Sequence, residues 1–323
     1  MSYPNELHIK AEKLLEQRRN KAKMLAEEKT AKIRASVPEI DRVQTELANI
    51  GIEISQLFLY KGDAQKKIEE LRSRSNALTE KRSDLLVKHG YKRNDTEPPY
   101  TCPACKDTGF KDNRICSCHR EILKELMRKE VAAHAPLERC TFDNFDLGYY
   151  PDAPLENSVV PRNRAEKILD AAMRYAQSFT PKSKSLVFIG KTGLGKTHIS
   201  LAIANVVINR GYSVCYGTSF DICEDMRAEM FSNNDIFYSK EKVYNYDLLI
   251  IDDLGTEIDN KYNISTIYNI VTNRSNSGKP TIISTNLEWD ELLEKYEQRI
   301  TSRLNGDYLP MTFFGTDIRQ LKK

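Results

Sequence analysis

Eight residues, GKTGLGKT from Gly190 to Thr197, fit the spacing G-x-x-x-x-G-K-[ST]. In such a loop the glycines let backbone N–H groups turn inward around phosphates, and the N-terminus of the following helix adds partial positive charge. Gly190, Lys191, Thr192, Gly193, Leu194 and Gly195 would form the cradle, Lys196 would reach the β- and γ-phosphates, and Thr197 would hold Mg²⁺. Such a loop needs a carboxylate for the cation, and YDLLIIDDLG supplies it at the end of an apolar run. Asp252 would hold the ion through water, and Asp253 stands where a base orienting the attacking water would project. The other role for Asp253 is to cap a following helix. Glu257 is expected on the surface and His198 as a plain first-turn residue.

A second chemistry resides in CPACKDTGFKDNRICSC, which places four of the seven cysteines, Cys102, Cys105, Cys116 and Cys118, within 17 residues. Two short chelating pairs joined by a loop suit a tetrahedral Cys₄ zinc site, with Asp107, Thr108 and Gly109 making the turn and His119 as the alternative to Cys118. A redox role would want one C-x-x-C at a helix start in a βαβ unit, and none is visible. Direct nucleic-acid binding is the second reading of this module, weakly supported by the mixed charge of its loop. Cys140, Cys215 and Cys223 are scattered in apolar surroundings and read as core.

The elements that must position these residues can be read from periodicity. Residues 5–89 are charged, nearly free of Gly and Pro, and helical in period. Ile40, Val43, Leu47, Ile50, Ile54 and Leu57 form one seam and Ile68, Leu71, Leu78 and Leu85 a second, with Gly62 and Asp63 between them, predicting an antiparallel hairpin of helices at 38–60 and 63–88. It either packs on itself or presents a docking surface to a partner. A short helix at 119–135 and a loop at 136–162 follow. Beyond them strands SLVFIG, SVCYGTS, YDLLIID and PTIIST alternate with helices at 163–178, 196–210, 219–231 and 262–275, the pattern of an α/β domain with a parallel sheet between helices. The expected organisation is therefore a helical hairpin (1–90), a Cys₄ zinc module with its helix (91–135), a linker (136–162) and a nucleotide-binding domain (163–323). Between the second and third strands Arg227, Phe231, Phe237, Tyr238, Lys240 and Lys242 mix cations with aromatics, which suits single-stranded DNA; the competing role for the aromatics is core packing.

GKTGLGKTH, LLIIDDLG, TIISTN and RITSRL, in that order and spacing, resemble the AAA+ ATPases of the DnaC/DnaI helicase-loader and IstB group, over roughly residues 140–323. CTFDNFDL (140–147) is similar to the segment preceding the core in that group. The resemblance implies ATP and Mg²⁺ as ligands, Asn286 as the residue that senses the γ-phosphate, and Arg303, with Arg299 beside it, as the arginine that reaches a neighbouring subunit's nucleotide during self-association. It also implies that GTDIR offers Arg319 as a second sensor, and that the insert between the second and third strands faces a DNA channel. Two departures stand out: Asp253 replaces the usual Glu, so hydrolysis is expected to be slow, and only 20 residues follow Arg303, too few for a full helical lid. A zinc-bearing N-terminal domain before such a core resembles the arrangement of DnaI-type loaders, whose partner is the replicative hexameric helicase. The implied function is ATP-dependent delivery of that helicase to single-stranded DNA. The alternatives are an IstB-like transposition helper and a nucleotide-gated scaffold that scarcely hydrolyses ATP.

Composition agrees without adding much. With 323 residues and 40% hydrophobic content the chain can bury a core unaided, and a net charge of +3 is too small to indicate a nucleic-acid partner by itself. No segment approaches the roughly 20 apolar residues needed to span a bilayer, and no signal-type stretch opens the chain, so a cytoplasmic protein without membrane association is expected.

Overall fold

A computed structural model describes residues 3–59, 65–155, 158–231 and 238–320. The chain divides into two compact units, one of residues 12–119 and the other of residues 1–11 with 120–323.

In the first unit, helix α1 (Asn5–Ser36) stops where Pro38 follows, because the residue before a proline is pushed out of the helical region. Pro38 then opens α2 (Pro38–Leu59), and α3 (Gln65–Lys88) runs back along it. The expected turn at Gly62 and Asp63 lies outside the described residues. Ile40, Val43 and Ile50 are buried along the α2 seam, while Leu47, Ile54 and Leu57 are half-buried. On α3 the buried positions are Leu71 and Leu86; Leu85, expected in the seam, packs at the margin of a cluster formed by Ile33, Val37, Ile40 and Leu86. After α3 comes a hairpin that periodicity did not reveal, β1 (Phe110–Lys111) with β2 (Arg114–Ile115). Asp112 and Asn113, at φ 50° and 58°, form the two-residue left-handed turn that suits antiparallel pairing.

Helix α4 (Ser117–Ala132) begins at the cysteine segment. The second unit then builds a five-stranded, wholly parallel sheet in the order β4-β5-β6-β3-β7. Its strands are β3 (Ser185–Ile189), β4 (Val214–Thr218), β5 (Leu248–Leu254), β6 (Thr281–Thr285) and β7 (Tyr308–Thr312). The connecting helices are α5 (Pro161–Ser178), α6 (Lys196–Asn209), α7 (Ser219–Phe231), α8 (Tyr238–Asn245), α9 (Lys261–Asn276) and α10 (Trp289–Asp307). Every residue of β3 and β6 is buried, as a strand covered on both faces requires. Val187, Ile251 and Ile283 from the sheet meet Ile267, Ile270 and Val271 of α9 and Leu292, Tyr296 and Ile300 of α10 in one core. This is the α/β class expected, with a helical region before it. The strand that pattern reading missed, β7, carries Pro310, which lacks an N–H and is tolerated because β7 pairs on one side only. Chain order reverses between β3 and β6, and in open parallel sheets ligands bind beyond the C-terminal ends of strands at such a point. No helix among the described residues is long and apolar enough to cross a membrane.

Candidate functional site

Beyond the C-terminal end of β3 the chain turns through Gly190–Gly195 and enters α6 at Lys196. Gly193 and Gly195 adopt φ +78° and +85°, in the left-handed region. An added Cβ on Gly193 would lie 1.8 Å from Asp317 Oδ1, and one on Gly195 2.8 Å from the Phe145 ring, so both the turn and its close neighbours demand glycine. The loop borders a cavity of about 270 Å³ that also touches Asn144, Phe145, Tyr149, His198, Asp253, Asn286 and Arg319.

Lys196 is buried, and its ammonium donates to the carbonyls of Gly190 (2.5 Å) and Lys191 (2.9 Å) and to Asn286 Oδ1 (2.7 Å). Burial pulls its pKa down to about 8, against the opposing pull of Asp253 and Asp252. Thr197 Oγ1 donates to Asp252 at 2.8 and 3.1 Å. Asp252 is only 2% exposed and accepts further hydrogen bonds from the hydroxyls of Tyr216 (2.8 Å) and Ser284. A hydroxyl and a carboxylate in contact at the foot of a phosphate loop are hard oxygen donors of the kind Mg²⁺ takes, so the residues present fit the ion and a nucleotide triphosphate.

Asp253 reaches the cavity through a bulge. Ile251 pairs with Ile283 and Leu254 with Thr285, leaving two residues of β5 opposite one of β6. Asp253 sits there at φ +51°, its N–H bonded to Ser284 Oγ and its carbonyl accepting from Ser219 Oγ and Thr256 Oγ1. Asn286 Nδ2 lies 3.4 Å from its carboxylate. Burial, then the neighbouring Asp252, raise the Asp253 pKa above the ordinary carboxylate range. Lys196, Thr197, Asp252, Asp253 and Asn286 are thus brought together by three strands.

The other expected site residues are more dispersed. Arg319 is exposed and lines the cavity, its segment held to the loop by Ile318 N–H bonding to Gly193 O at 3.1 Å. Arg299 and Arg303 lie on α10, Arg299 exposed and Arg303 half-buried with an ion pair to Asp307 at 3.6 Å. In the insert, Arg227 bonds Asn263 (3.2 Å), pairs with Glu224 (3.3 Å) and lies over the Tyr262 ring, while Lys242 pairs with Glu130 at 2.5 Å. Lys240 opens α8 through its backbone N–H to Glu229. Phe237 and the side chains of Phe231 and Tyr238 lie outside the described residues.

Glu257 corrects the surface expectation. It is 3% exposed, accepting from Gly255 N–H at 3.0 Å and from the Tyr296 hydroxyl, with Lys295 at 3.5 Å. Burial pushes its pKa up, but hydrogen bonds from Tyr296, Ser219 and the backbone outweigh that and leave it below the usual carboxylate range. Nothing in the local pattern, a Glu three residues past an apolar strand, signals this. The contribution of residues 137–150 was legible only through resemblance. Asn205 on α6 donates to the carbonyls of Leu137 and Cys140 (both 2.8 Å), His198 Nε2 to Thr141 O (2.8 Å), and Tyr150 to Leu194 O in the phosphate loop (2.8 Å). His198 is therefore more than a plain helix residue: it straps this segment against α6, with the Phe145 ring edge-on at 5.4 Å.

In the first unit the four sulfurs of Cys102, Cys105, Cys116 and Cys118 lie within 4.8 Å of one another. Cys102 to Cys116 is 3.8 Å and Cys105 to Cys118 is 3.4 Å, near the roughly 3.8 Å that tetrahedral Zn–S bonds of about 2.3 Å impose. The buried Asp107 folds the first pair, its oxygens accepting from the N–H groups of Thr101 and Cys102 at 2.8 Å. Hydrogen bonds, that from the Cys118 backbone foremost, draw the Cys116 thiol down to about 6, while burial pushes Cys118 up; a dication would favour ionising all four. His119 is buried beside this group with its ring edge-on to Phe110 at 5.5 Å.

Residues 163–303 match the family model described as IstB-like ATP binding protein. The chain is 31% identical over 167 residues to the replicative helicase loader DnaC of Buchnera aphidicola subsp. Baizongia pistaciae (strain Bp), spanning 51% of this chain and 68% of that protein. It is 33% identical over 159 residues to DnaC of Escherichia coli (strain K12), spanning 48% and 64%. Among solved structures, the crystal structure of the DnaC helicase loader aligns with TM-score 0.47 and 24% identity, over 55% of this chain and 99% of that one.

Proposed function

The chain belongs to the DnaC family of ATP-binding proteins, and from that premise we propose that it loads the replicative DNA helicase onto single-stranded DNA at the initiation of replication, under the control of ATP. The observation that carries the reading is the convergence of Lys196, Thr197, Asp253 and Asn286 on one cavity, with Asp252 bonded to Thr197 beside it, in a chain 31% identical over 167 residues to a protein named as a helicase loader.

The phosphate loop and Lys196 bind the triphosphate, and residues 140–150 enclose its base end. Thr197 and Asp252 would hold Mg²⁺, which when bound would supply neutralisation of phosphate charge. Asp253 orients the attacking water and accepts its proton, and Asn286 contacts the γ-phosphoryl group. Asp253 is one methylene shorter than the usual Glu, so turnover is slow. Arg303, with Arg299 beside it, reaches the nucleotide of a second copy, making hydrolysis conditional on self-association. The cations and aromatics of the insert contact single-stranded DNA. The N-terminal hairpin (1–90) and zinc module (91–135) grip the helicase, with zinc on Cys102, Cys105, Cys116 and Cys118 fixing the shape of the cysteine segment; residues 136–162 lead into the ATPase domain (163–323) and in part pack on it.

Light scattering of the full chain mixed with the host replicative helicase, ATP and Mg²⁺ tests this. A stable complex that places the helicase on single-stranded DNA is the expected result. No complex with the helicase, and one with a transposase instead, would replace this reading with the transposition helper.

A further inference from the structure

We propose that Tyr216 is a positioning residue for Asp252, holding the carboxylate in the orientation that accepts Mg²⁺. The inference rests on the reading of Asp252 as the magnesium carboxylate. β4 pairs with β5 so that Tyr216 stands opposite Ile250 and Thr218 opposite Asp252. Residues in register across a parallel ladder point to the same face and alternate along each strand, so Tyr216 and Asp252 share a face but are offset by two residues. A tyrosine is long enough to cross that offset, and its hydroxyl donates to Asp252 Oδ2 at 2.8 Å.

The geometry around the carboxylate gives this bond its consequence. Two carboxylate oxygens offer about four acceptor directions. Thr197 bonds Oδ2 at 2.8 Å and Oδ1 at 3.1 Å, Tyr216 bonds Oδ2, and Ser284 bonds Oδ1. Three hydroxyl hydrogens thus face four acceptor directions, the single Thr197 hydrogen being shared between both oxygens, so the cation or its bound water enters on the side that Thr197 occupies. Ser284 and Tyr216 grip opposite oxygens from two different strands, which fixes the rotation of the carboxylate about its bond to Cβ. The Tyr216 ring lines a second cavity of about 260 Å³, beside Glu130, His134 and Lys242, and is absent from the lining of the phosphate-side cavity. It acts through Asp252 and has no direct contact with the nucleotide.

The test is Tyr216→Phe, which keeps the ring and removes the hydroxyl. Binding of a fluorescent ATP analogue is measured with Mg²⁺ and with EDTA, and Mn²⁺ binding to the nucleotide complex by electron paramagnetic resonance. The metal-dependent gain in affinity should shrink about tenfold, the scale of one hydrogen bond to a charged group, with affinity in EDTA unchanged within twofold and Mn²⁺ correspondingly weakened. An equal loss in EDTA would show a merely structural role and overturn the proposal, as would an unchanged metal response. Asp252→Asn serves as the reference: if it leaves the metal response intact, the reading of Asp252 itself fails; if it abolishes the response while Tyr216→Phe does not, only the inference about Tyr216 falls.

Discussion

The ammonium of Lys196 lies 2.7 Å from the side-chain oxygen of Asn286, so the phosphate-loop lysine and the residue following β6 are already in contact. It also donates to two backbone carbonyls of its own loop, and burial holds its pKa near 8. The folded pKa lies below the ordinary 10.5, so the folded chain binds fewer protons than the unfolded one between about pH 8 and 10.5 and gains stability as pH rises through that window. Nucleotide phosphates favour the charged form, so binding should take up a proton above pH 8 and weaken as pH rises. Titration calorimetry at pH 8.5 in buffers of different ionisation enthalpy should show that uptake in the native chain and none in Lys196→Met with any residual binding. A buffer-independent heat in the native chain would refute the assignment.

Asp253→Asn keeps a residue that tolerates φ +51° and removes the charge. It should spare ATP binding and lower hydrolysis by a factor on the order of 10² or more, the scale of general-base catalysis. Because the carboxyl is raised above its usual range, the native rate should climb with pH through that raised value and be lost on the acid side earlier than for an exposed aspartate. Single-turnover hydrolysis across pH reads both effects.

Glu257→Ala removes the acceptor shared by the Tyr296 hydroxyl and the Gly255 N–H, and should destabilise the ATPase unit by about 2 kcal/mol through unmet buried donors. The folded pKa lies below the ordinary 4.5, so this stabilisation is complete above about 4.5 and fades as pH falls through the folded value. Acid unfolding monitored by circular dichroism should therefore be less steep in Glu257→Gln.

Arg303→Ala should leave nucleotide affinity unchanged and reduce turnover only in the self-associated state. In a single chain the guanidinium is half-buried and paired with Asp307 on the same helix. Arg303→Lys should not restore turnover, because an ammonium lacks the planar fork that grips a phosphoryl group. ATPase rates measured against protein concentration separate this from a local defect, which would appear at every concentration.

Elemental analysis of chain purified without chelator should find one zinc per molecule. Its removal should release the Cys102 to Cys118 segment and raise amide exchange over residues 101–119, leaving nucleotide binding by the second unit intact. Absence of zinc would remove the metal reading.

Much of this architecture was visible in the sequence because it is local. The phosphate loop, the two acidic residues and the cysteine pairs carry their chemistry in adjacent positions, and the first hairpin helix declares itself by a sustained seam, the second by one interrupted at Ser75 and Arg82. The elements that escaped depend on what lies across from them. β7 is strand only because β3 offers it a partner, and it contains Pro310, a residue that strands rarely hold. Tyr216 and Ser284 gain meaning from a carboxylate on another strand, and Glu257 from Tyr296 on α10, 39 residues away. The short hairpin at 110–115 lies below the length at which alternation can be read.

The bulge at Asp252 and Asp253 sets folding preference against activity at a single point. Deleting Asp253 would bring β5 back into step with β6 and remove a left-handed residue, both changes that favour a regular ladder. The shortened chain would have a more ideal sheet and would lack the carboxylate proposed to orient water. Selection for thermal robustness alone would drift toward that deletion, so retention of the extra residue in active variants, and its loss in variants chosen only for folding, would record which pressure had acted.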